Sequence, residues 1–162
     1  MITQIVKYLS LMLFRRGRVE KDFLLSPEEC EYGYKCAVSD KSAIWIITAH
    51  IDANFMKRFK TEWEENVLES GILVYCTTVT FDAMKKLKLV EGLQLFSSER
   101  FLFDLIETVP THVLWKRIGD EGYPATAKHY PKLLIEDPVC QYYEFKYGDI
   151  VVGVPHDAYV VV

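Results

Sequence analysis

The sequence predicts two domains: an α/β domain with an open sheet and covering helices, followed by a small mixed α+β domain. Near-continuous apolar runs alternate with helical patterns over residues 1–108, an order typical of sheets covered on both faces. After Pro110 the pattern changes to short strands and polar turns, so we place the boundary near 108–111. At 162 residues and 50% hydrophobic content, the chain can build two small cores.

The first domain, residues 1–108, is predicted to alternate helices and strands. Ser26-Pro27-Glu28-Glu29 predicts a short helix, because Ser is a good N-cap and Pro fits the first turn. Gly71 is expected to end a longer helix whose apolar stripe is Phe55, Phe59, Trp63 and Val67. The predicted helices are 2–16, 26–29, 54–70, 80–88 and 98–105, and the predicted strands are 43–50, 71–77 and 93–96.

The second domain, residues 109–162, is predicted to combine short strands with one helix. Asp137-Pro138 is typical of a helix start, since the carboxylate caps free amides and Pro suits the first helical position. A turn is predicted at Pro155-His156-Asp157. The predicted strands are 112–115, 133–135, 149–154 and 159–162.

Composition excludes a basic nucleic-acid coat protein. The 19 Lys and Arg residues against 23 Asp and Glu give a net charge of −4, so any DNA contact has to be local. Two short basic clusters stand out, Arg15-Arg16-Arg18 and Lys85-Lys86-Lys88. Each is interpreted either as a phosphate-neutralising patch or, more commonly for such runs, as a solvated helix face.

The cysteines and histidines give little indication of metal or cofactor chemistry. Cys30, Cys36, Cys76 and Cys140 form no Cys-x-x-Cys pair, and free, mostly buried thiols in a reducing compartment are expected. No Gly-rich phosphate loop is present, and we expect no cofactor. One enzymatic alternative stays open, a stand-alone α/β enzyme: Cys76 and His50 lie at the ends of two adjacent predicted strands and could form a nucleophile–base pair.

Neither the N-terminus nor any later segment predicts a membrane partner. Residues 2–16 alternate apolar and polar positions, and Arg15-Arg16 follow that stretch instead of preceding it, which disfavours a signal peptide. No later run has the length and apolarity of a membrane span.

The stretch from His129 to Val154 carries the most specific pattern of the chain. Its pieces are Tyr130-Pro131-Lys132-Leu133, Asp137-Pro138-Val139, Tyr142 and Lys146-Tyr147-Gly148-Asp149-Ile150-Val151. They resemble the C-terminal assembly domain of the fifth-largest, shared subunit of eukaryotic RNA polymerases, whose archaeal counterpart consists of the assembly domain alone. A Pro-x-His-Val pattern at Pro110–Val113 resembles the start of the same domain.

This resemblance implies a non-catalytic subunit of a multisubunit DNA-directed RNA polymerase. Residues 1–108 would form a jaw domain and residues 109–162 the assembly domain that docks on the largest subunit. The partners implied are the largest and other polymerase subunits, with downstream DNA only within the complex. The residues assigned to docking are Pro131, Lys132, Asp137, Pro138, Val139, Tyr142, Gly148 and Asp149.

The resemblance also implies a DNA contact in the first domain. Residues 77–83 fall where the family has a Thr-Pro-Ser-Ala loop that approaches downstream DNA; Thr80 and Ala83 match, whereas Phe81 and Asp82 differ. The DNA-contact residues implied are Thr80, Phe81, Asp82, Lys85 and Lys86. A polymerase-binding regulator that mimics the subunit is the other non-enzymatic alternative.

The last residues depart from the family. Residues 152–157 replace a longer hairpin that is usually basic, and the whole chain is shorter than typical eukaryotic members. We hypothesise a compact, divergent member such as large DNA viruses encode. A cellular member is expected in the nucleus, and a member from a cytoplasmic virus in the host cytoplasm and the virion.

Overall fold

A computed structural model describes residues 1–153 and 157–162, and it divides the chain into two compact units. The first unit comprises Met1–Phe14 and Val19–Phe103, and the second comprises Arg15–Arg18 and Asp104–Val162. Each unit contains one sheet, so the protein is of mixed α/β type. The assignment of these units as jaw and assembly domains stays a prediction.

The helices and strands have the following bounds. The helices are α1 (Ile2–Arg15), α2 (Ala53–Glu65), α3 (Phe81–Lys88), α4 (Leu105–Thr108) and α5 (Pro138–Tyr143), with 3-10 turns at Ser98–Phe101 and Ala127–His129. The strands are β1 (Glu28–Cys30), β2 (Gly33–Ser39), β3 (Ser42–Ile47), β4 (Ser70–Tyr75), β5 (Leu93–Ser97), β6 (His112–Lys116), β7 (Lys132–Leu133), β8 (Ile150–Gly153) and β9 (Ala158–Val161).

The first sheet is mixed and has five strands in the order β1-β2-β3-β4-β5. The three predicted strands are confirmed as its parallel part, β3, β4 and β5. The predicted helix at residues 26–29 is wrong, because Glu28–Cys30 pair with Gly33–Lys35 in an antiparallel hairpin. Backbone pairing with β2 has overridden the capping signal of Ser26-Pro27.

A core cluster of the first unit lies where α2 and α3 cover one face of the sheet. Trp45 meets Phe59 edge-on at a ring-centroid distance of 5.0 Å, and Leu73 and Leu87 are fully buried in the same cluster. Gly71 packs closely here, since a Cβ atom would lie 2.8 Å from the Trp45 ring. Such aromatic packing fixes the position of α2 and α3 against the sheet.

Helix α2 ends earlier than predicted. The helix was expected to reach residue 70, but Asn66 is its C-cap and Val67 has a left-handed φ of +50°. Val67 is consequently exposed and lies outside the apolar stripe of Phe55, Phe59 and Trp63. Likewise, the predicted helix 98–105 is a 3-10 turn at Ser98–Phe101, followed by the separate short helix α4.

The second unit packs α5 against a four-stranded sheet of order β6-β8-β9-β7. Its core cluster includes Val139 and Cys140 of α5 and Val151 and Val161 of the two central strands. The predicted strand 133–135 shrinks to Lys132–Leu133, while strands at 112–116, 150–153 and 158–161 agree with prediction. Val154 and most of the predicted turn, Pro155 and His156, lie outside the described residues.

Candidate functional site

Helix α3 carries the residues assigned to DNA contact, and its start is fixed by a cap. The Thr80 hydroxyl accepts a hydrogen bond from the Ala83 amide at 3.3 Å, as an N-cap residue does. Phe81 follows at the first helical position and is 74% exposed. The Lys85 ammonium lies 4.7 Å from the centre of the Phe81 ring, a cation–π distance.

The outer face of α3 is therefore basic and aromatic. Asp82, Lys85 and Lys86 are all exposed, and a large apolar side chain, Leu89, is 83% exposed directly after the helix. The structure thus brings Thr80, Phe81, Asp82, Lys85 and Lys86 together on one short helix and its cap. In such a group the aromatic ring can stack on a base, and the lysines can neutralise phosphate.

The loop before α3 is held at the carboxyl edge of the parallel strands. The Ile51 amide donates to the Thr78 carbonyl at 3.3 Å, and the Thr80 amide donates to the Ile51 carbonyl at 3.0 Å. The Thr77 hydroxyl adds a 2.7 Å bond to the Ala49 carbonyl. These bonds tie the loops after β3 and β4 together, so α3 starts from a fixed position.

Cys76 and His50 lie at the same edge but interact with other residues. The Nδ1 atom of His50 is 3.0 Å from the Thr78 hydroxyl, while the Cys76 thiol interacts with Ser98. Burial raises the pKa of the Cys76 thiol above its usual value. A thiol with a raised pKa is a poor nucleophile at neutral pH, so this geometry lends no support to the enzymatic alternative.

In the second unit, the Asp-Pro-Val motif forms the start of α5. The Asp137 carboxylate accepts a hydrogen bond from the Val139 amide at 2.8 Å, and Pro138 occupies the first turn. Val139 is buried in the core. Tyr142 is also buried, and its hydroxyl accepts a 3.0 Å bond from Arg15. Burial raises the pKa of Tyr142, so it stays a neutral phenol.

Gly148 and Asp149 form the turn that leads into β8. Gly148 has a φ of +82°, a conformation that favours glycine. The Asp149 side chain is almost fully buried and accepts a 2.8 Å hydrogen bond from the Lys146 amide. Both residues determine the backbone conformation of this turn. Any role of theirs in docking would therefore be indirect, through the position of the neighbouring residues.

Pro131 and Lys132 lie at the opposite edge of the second sheet and are exposed. The Pro131 carbonyl accepts a 2.9 Å bond from the Val160 amide, and Lys132 pairs with Val160 in the parallel β7–β9 ladder. Of the eight residues assigned to docking, these two therefore present the most side-chain surface. The direct role of all eight in docking stays a prediction.

The arginine cluster is neither a free phosphate patch nor a solvated face. Arg15 bonds to both carboxylate oxygens of Asp104, at 2.6 and 2.8 Å. Arg16 donates to the carbonyls of Gln141 and Tyr142, at 2.9 and 2.6 Å. These carbonyls lie in the last turn of α5, where cations are favoured by the helix dipole.

The charge states of this cluster follow from its contacts. Burial lowers the pKa of Arg16 to about 10, so this guanidinium is still protonated at neutral pH. The hydrogen bond from Arg15 holds the pKa of Asp104 below its usual value. Arg18 completes the cluster with a 2.9 Å ion pair to Glu144, the left-handed residue that caps α5. Arg16 and Arg18 therefore stabilise the end of α5, while Arg15 bonds to Asp104, the N-cap of α4, and to the Tyr142 hydroxyl.

Sequence reasoning missed several exposed apolar residues of the second unit. Val113 and Trp115 are 59% and 49% exposed on β6, an edge strand of its sheet. Leu134 and Ile135, directly after β7, are also exposed. Exposed apolar side chains at sheet edges are typical of surfaces that partners cover. Side chains of a strand point alternately to the two faces of a sheet, so the predicted strand 112–115 could have indicated that Val113 and Trp115 share a face.

Two further findings concern metals and membranes. Within residues 1–153 and 157–162, no group of three or more His, Cys, Asp or Glu side chains is placed to hold a metal ion. In the same ranges, no helix has the length and apolarity needed to cross a membrane. The four cysteines are free thiols, with Cys36 and Cys140 buried and Cys30 exposed.

Fold and surfaces together define a two-unit mixed α/β protein with a basic, aromatic helix face in one unit and exposed apolar strand edges in the other. No family model matches the chain. It is 42% identical over 161 residues to the Frog virus 3 (isolate Goorha) protein "Uncharacterized protein 028R", and the match covers 97% of each chain. The chain therefore belongs to the family of this viral protein.

Proposed function

We propose that the chain is a non-catalytic subunit of a multisubunit DNA-directed RNA polymerase. The second unit would be the assembly domain that docks on the largest subunit, and the first unit would form part of the jaw near downstream DNA. Its contribution would be assembly and a rigid wall, with the chemistry supplied by the larger subunits.

One observation carries this proposal: the motifs that resemble the assembly domain all lie in the second unit. Lys132 belongs to β7, Asp137 caps α5, and Gly148 and Asp149 make the turn into β8. They surround the cluster of Val139, Cys140, Phe145, Val151 and Val161.

The exposed surfaces support a role inside a larger assembly. The edge strand β6 offers free backbone groups beside Val113 and Trp115, which a partner could cover. In the first unit, the lysines of α3 are too few for tight DNA binding alone, since three phosphate contacts give only weak, salt-sensitive affinity. Tight DNA binding would belong to the whole polymerase.

The viral relative supports the hypothesis that the proposed polymerase is encoded by a large DNA virus. A chain that serves a polymerase of a cytoplasmic large DNA virus is expected in the host cytoplasm and in the virion. For a cellular polymerase the expected compartment is the nucleus.

Affinity purification tests the proposal. A tagged chain expressed in its natural host cell should recover the large polymerase subunits at one copy each, and this ratio should survive a high-salt wash. A polymerase-binding regulator would be recovered at lower occupancy and lost in the wash. Recovery of the tagged chain without any large polymerase subunit would refute the proposal.

A further inference from the structure

The second unit contains a groove that none of the motifs explains. It has a volume of about 340 Å³ and is lined by Ile118, Tyr123, Lys128, Lys132, Tyr147 and Val160, among others. Ile118 and Tyr147 are 64% and 69% exposed, which is unusual for two large apolar side chains at one groove. The groove therefore offers an apolar surface of the kind that partners cover.

The wall of the groove is held in place by Gly148. A Cβ atom at this position would lie 2.1 Å from the Cδ1 atom of Ile118, so any other residue would displace the end of that side chain. The Tyr123 hydroxyl donates a 2.7 Å hydrogen bond to the Gly148 carbonyl. The loop that carries Ile118 and Tyr123 is thus fixed against the turn, and the groove is preformed.

The charge of the groove is one-sided. Its lining includes Lys128 and Lys132 and no Asp or Glu, although the whole chain has a net charge of −4. The Lys132 ammonium donates to the Lys128 carbonyl at 2.9 Å, so this charge lies beside the backbone of Lys128. Across the described ranges, 1–153 and 157–162, neither lysine forms an ion pair. Two exposed lysines in the lining of an apolar groove complement a carboxylate beside an apolar side chain.

We propose that this groove binds an extended segment of the largest polymerase subunit that carries an apolar or aromatic residue next to Asp or Glu. The apolar side chain contacts Ile118 and Tyr147, and the carboxylate pairs with Lys128 and Lys132. This inference rests on the proposed function and adds the chemistry of the partner segment. It places the contact partly on Ile118 and Lys128, which lie outside the matched motifs, and partly on Lys132 and Tyr147, which lie within them.

A peptide array tests the groove directly. Overlapping 15-residue peptides that tile the largest polymerase subunit of the source genome are probed with the full chain, and affinities are measured by fluorescence anisotropy. We expect peptides with an apolar residue beside Asp or Glu to bind. The double charge reversal Lys128→Glu/Lys132→Glu should weaken them by about tenfold or more, because attraction becomes repulsion.

The matched control is Lys7→Glu/Lys21→Glu, which makes the same change in net charge at two exposed lysines outside the groove lining. It should bind the peptides as the unaltered chain does. Equal loss in both variants, equal binding by both, or the absence of any bound peptide would overturn the groove proposal. Far-ultraviolet circular dichroism of each variant checks that the fold is intact.

Purification separates this inference from the proposed function. If the unaltered chain recovers the polymerase and the Lys128→Glu/Lys132→Glu variant recovers it equally well, the groove proposal fails and the subunit proposal stands. If the unaltered chain recovers no polymerase, the subunit proposal itself fails. A concentration-dependent dimer of the pure chain that the groove variant abolishes would identify a second copy as the occupant and contradict the partner stated here.

Discussion

Two basic clusters of this chain look alike in the sequence but are used in opposite ways. Arg15, Arg16 and Arg18 belong to the second unit and bond within it, Arg16 and Arg18 at the end of α5 and Arg15 to Asp104. Lys85 and Lys86 instead are exposed on α3, where Lys85 lies over the exposed ring of Phe81. The difference teaches that a cluster of cations indicates an interaction surface only when its charges are not already used within the fold.

This contrast has a physical basis in side-chain chemistry. An arginine fork can satisfy several carbonyl and carboxylate acceptors at once and can stay charged while buried. A lysine is a strongly hydrated point charge on a flexible stem, and it remains at the surface more readily. Substitutions in the two clusters should therefore differ sharply in their effect on the free energy of unfolding.

The largest effect is expected for Arg16→Ala. The Arg16 side chain is 4% exposed and bonds to the carbonyls of Gln141 and Tyr142. After its removal the Gln141 carbonyl keeps the Glu144 amide at 3.4 Å, whereas the carbonyl of the buried Tyr142 loses its charged donor, so the second unit should lose about 3 kcal/mol of unfolding free energy. Urea unfolding followed by hydrogen exchange of α5 peptides measures the loss. A loss no larger than that of Lys88→Ala, an exposed control, would show that the contact is dispensable.

The next effect is expected for Gly148→Ala. The left-handed backbone should cost about 1–2 kcal/mol, and a Cβ atom would also displace the exposed end of the Ile118 side chain. The double variant Gly148→Ala/Ile118→Ala removes the close approach and should recover only the smaller part of that loss, because the backbone strain remains. Thermal unfolding of the two variants and of Ile118→Ala provides the comparison. Equal losses in the single and double Gly148 variants would exclude the contact with Ile118.

A smaller, pH-dependent effect is expected for Asp104→Asn. Arg15 lowers the pKa of Asp104 in the folded chain, so the carboxylate contributes stability above its unfolded-state pKa of about 3.9. This contribution is lost as the pH falls through the lower folded-state value. The variant should therefore be less stable than the unaltered chain by about 1–2 kcal/mol at pH 7, and the difference should vanish in strong acid. Urea unfolding across this pH range tests it, and a constant difference would contradict the ion-pair explanation.

The smallest effect on stability is expected for Lys85→Glu/Lys86→Glu. Both side chains are exposed, so the free energy of unfolding should change by less than about 0.5 kcal/mol. The DNA contact of the assembled polymerase should weaken, since the variant places two negative charges where phosphates are proposed to approach. Differential scanning calorimetry and DNA retention at increasing salt measure the two effects separately. A large stability loss would place these lysines with the arginines as structural residues.

The elements that local sequence determines were predicted well. Thr80 at the start of α3 and Asp137 at the start of α5 are both caps, and their side chains bond to amides two or three residues away. Gly148 has the left-handed backbone that the turn into β8 requires. Each of these signals depends on a few neighbouring residues, which is why the sequence reveals them.

Features that depend on distant residues were missed. Strands β1 and β2 are an outer hairpin with exposed charged residues, so they lack the apolar run that identified β3 and β4. The partners of Arg16 lie about 125 positions away along the chain, where no local pattern could indicate them. The groove at Ile118 and Tyr147 likewise joins residues from separate segments, and its one-sided charge becomes visible only in the fold.

Photo-crosslinking in the assembled polymerase tests the central claim most directly. A photoreactive amino acid replaces Phe81 on α3 or, as a control, Asp120 in an exposed loop of the second unit, and the polymerase is bound to DNA with a labelled downstream duplex. The account predicts that the chain enters the polymerase in both cases and that only position 81 crosslinks to DNA. Assembly without any crosslink from position 81, or equal crosslinking from position 120, would contradict it.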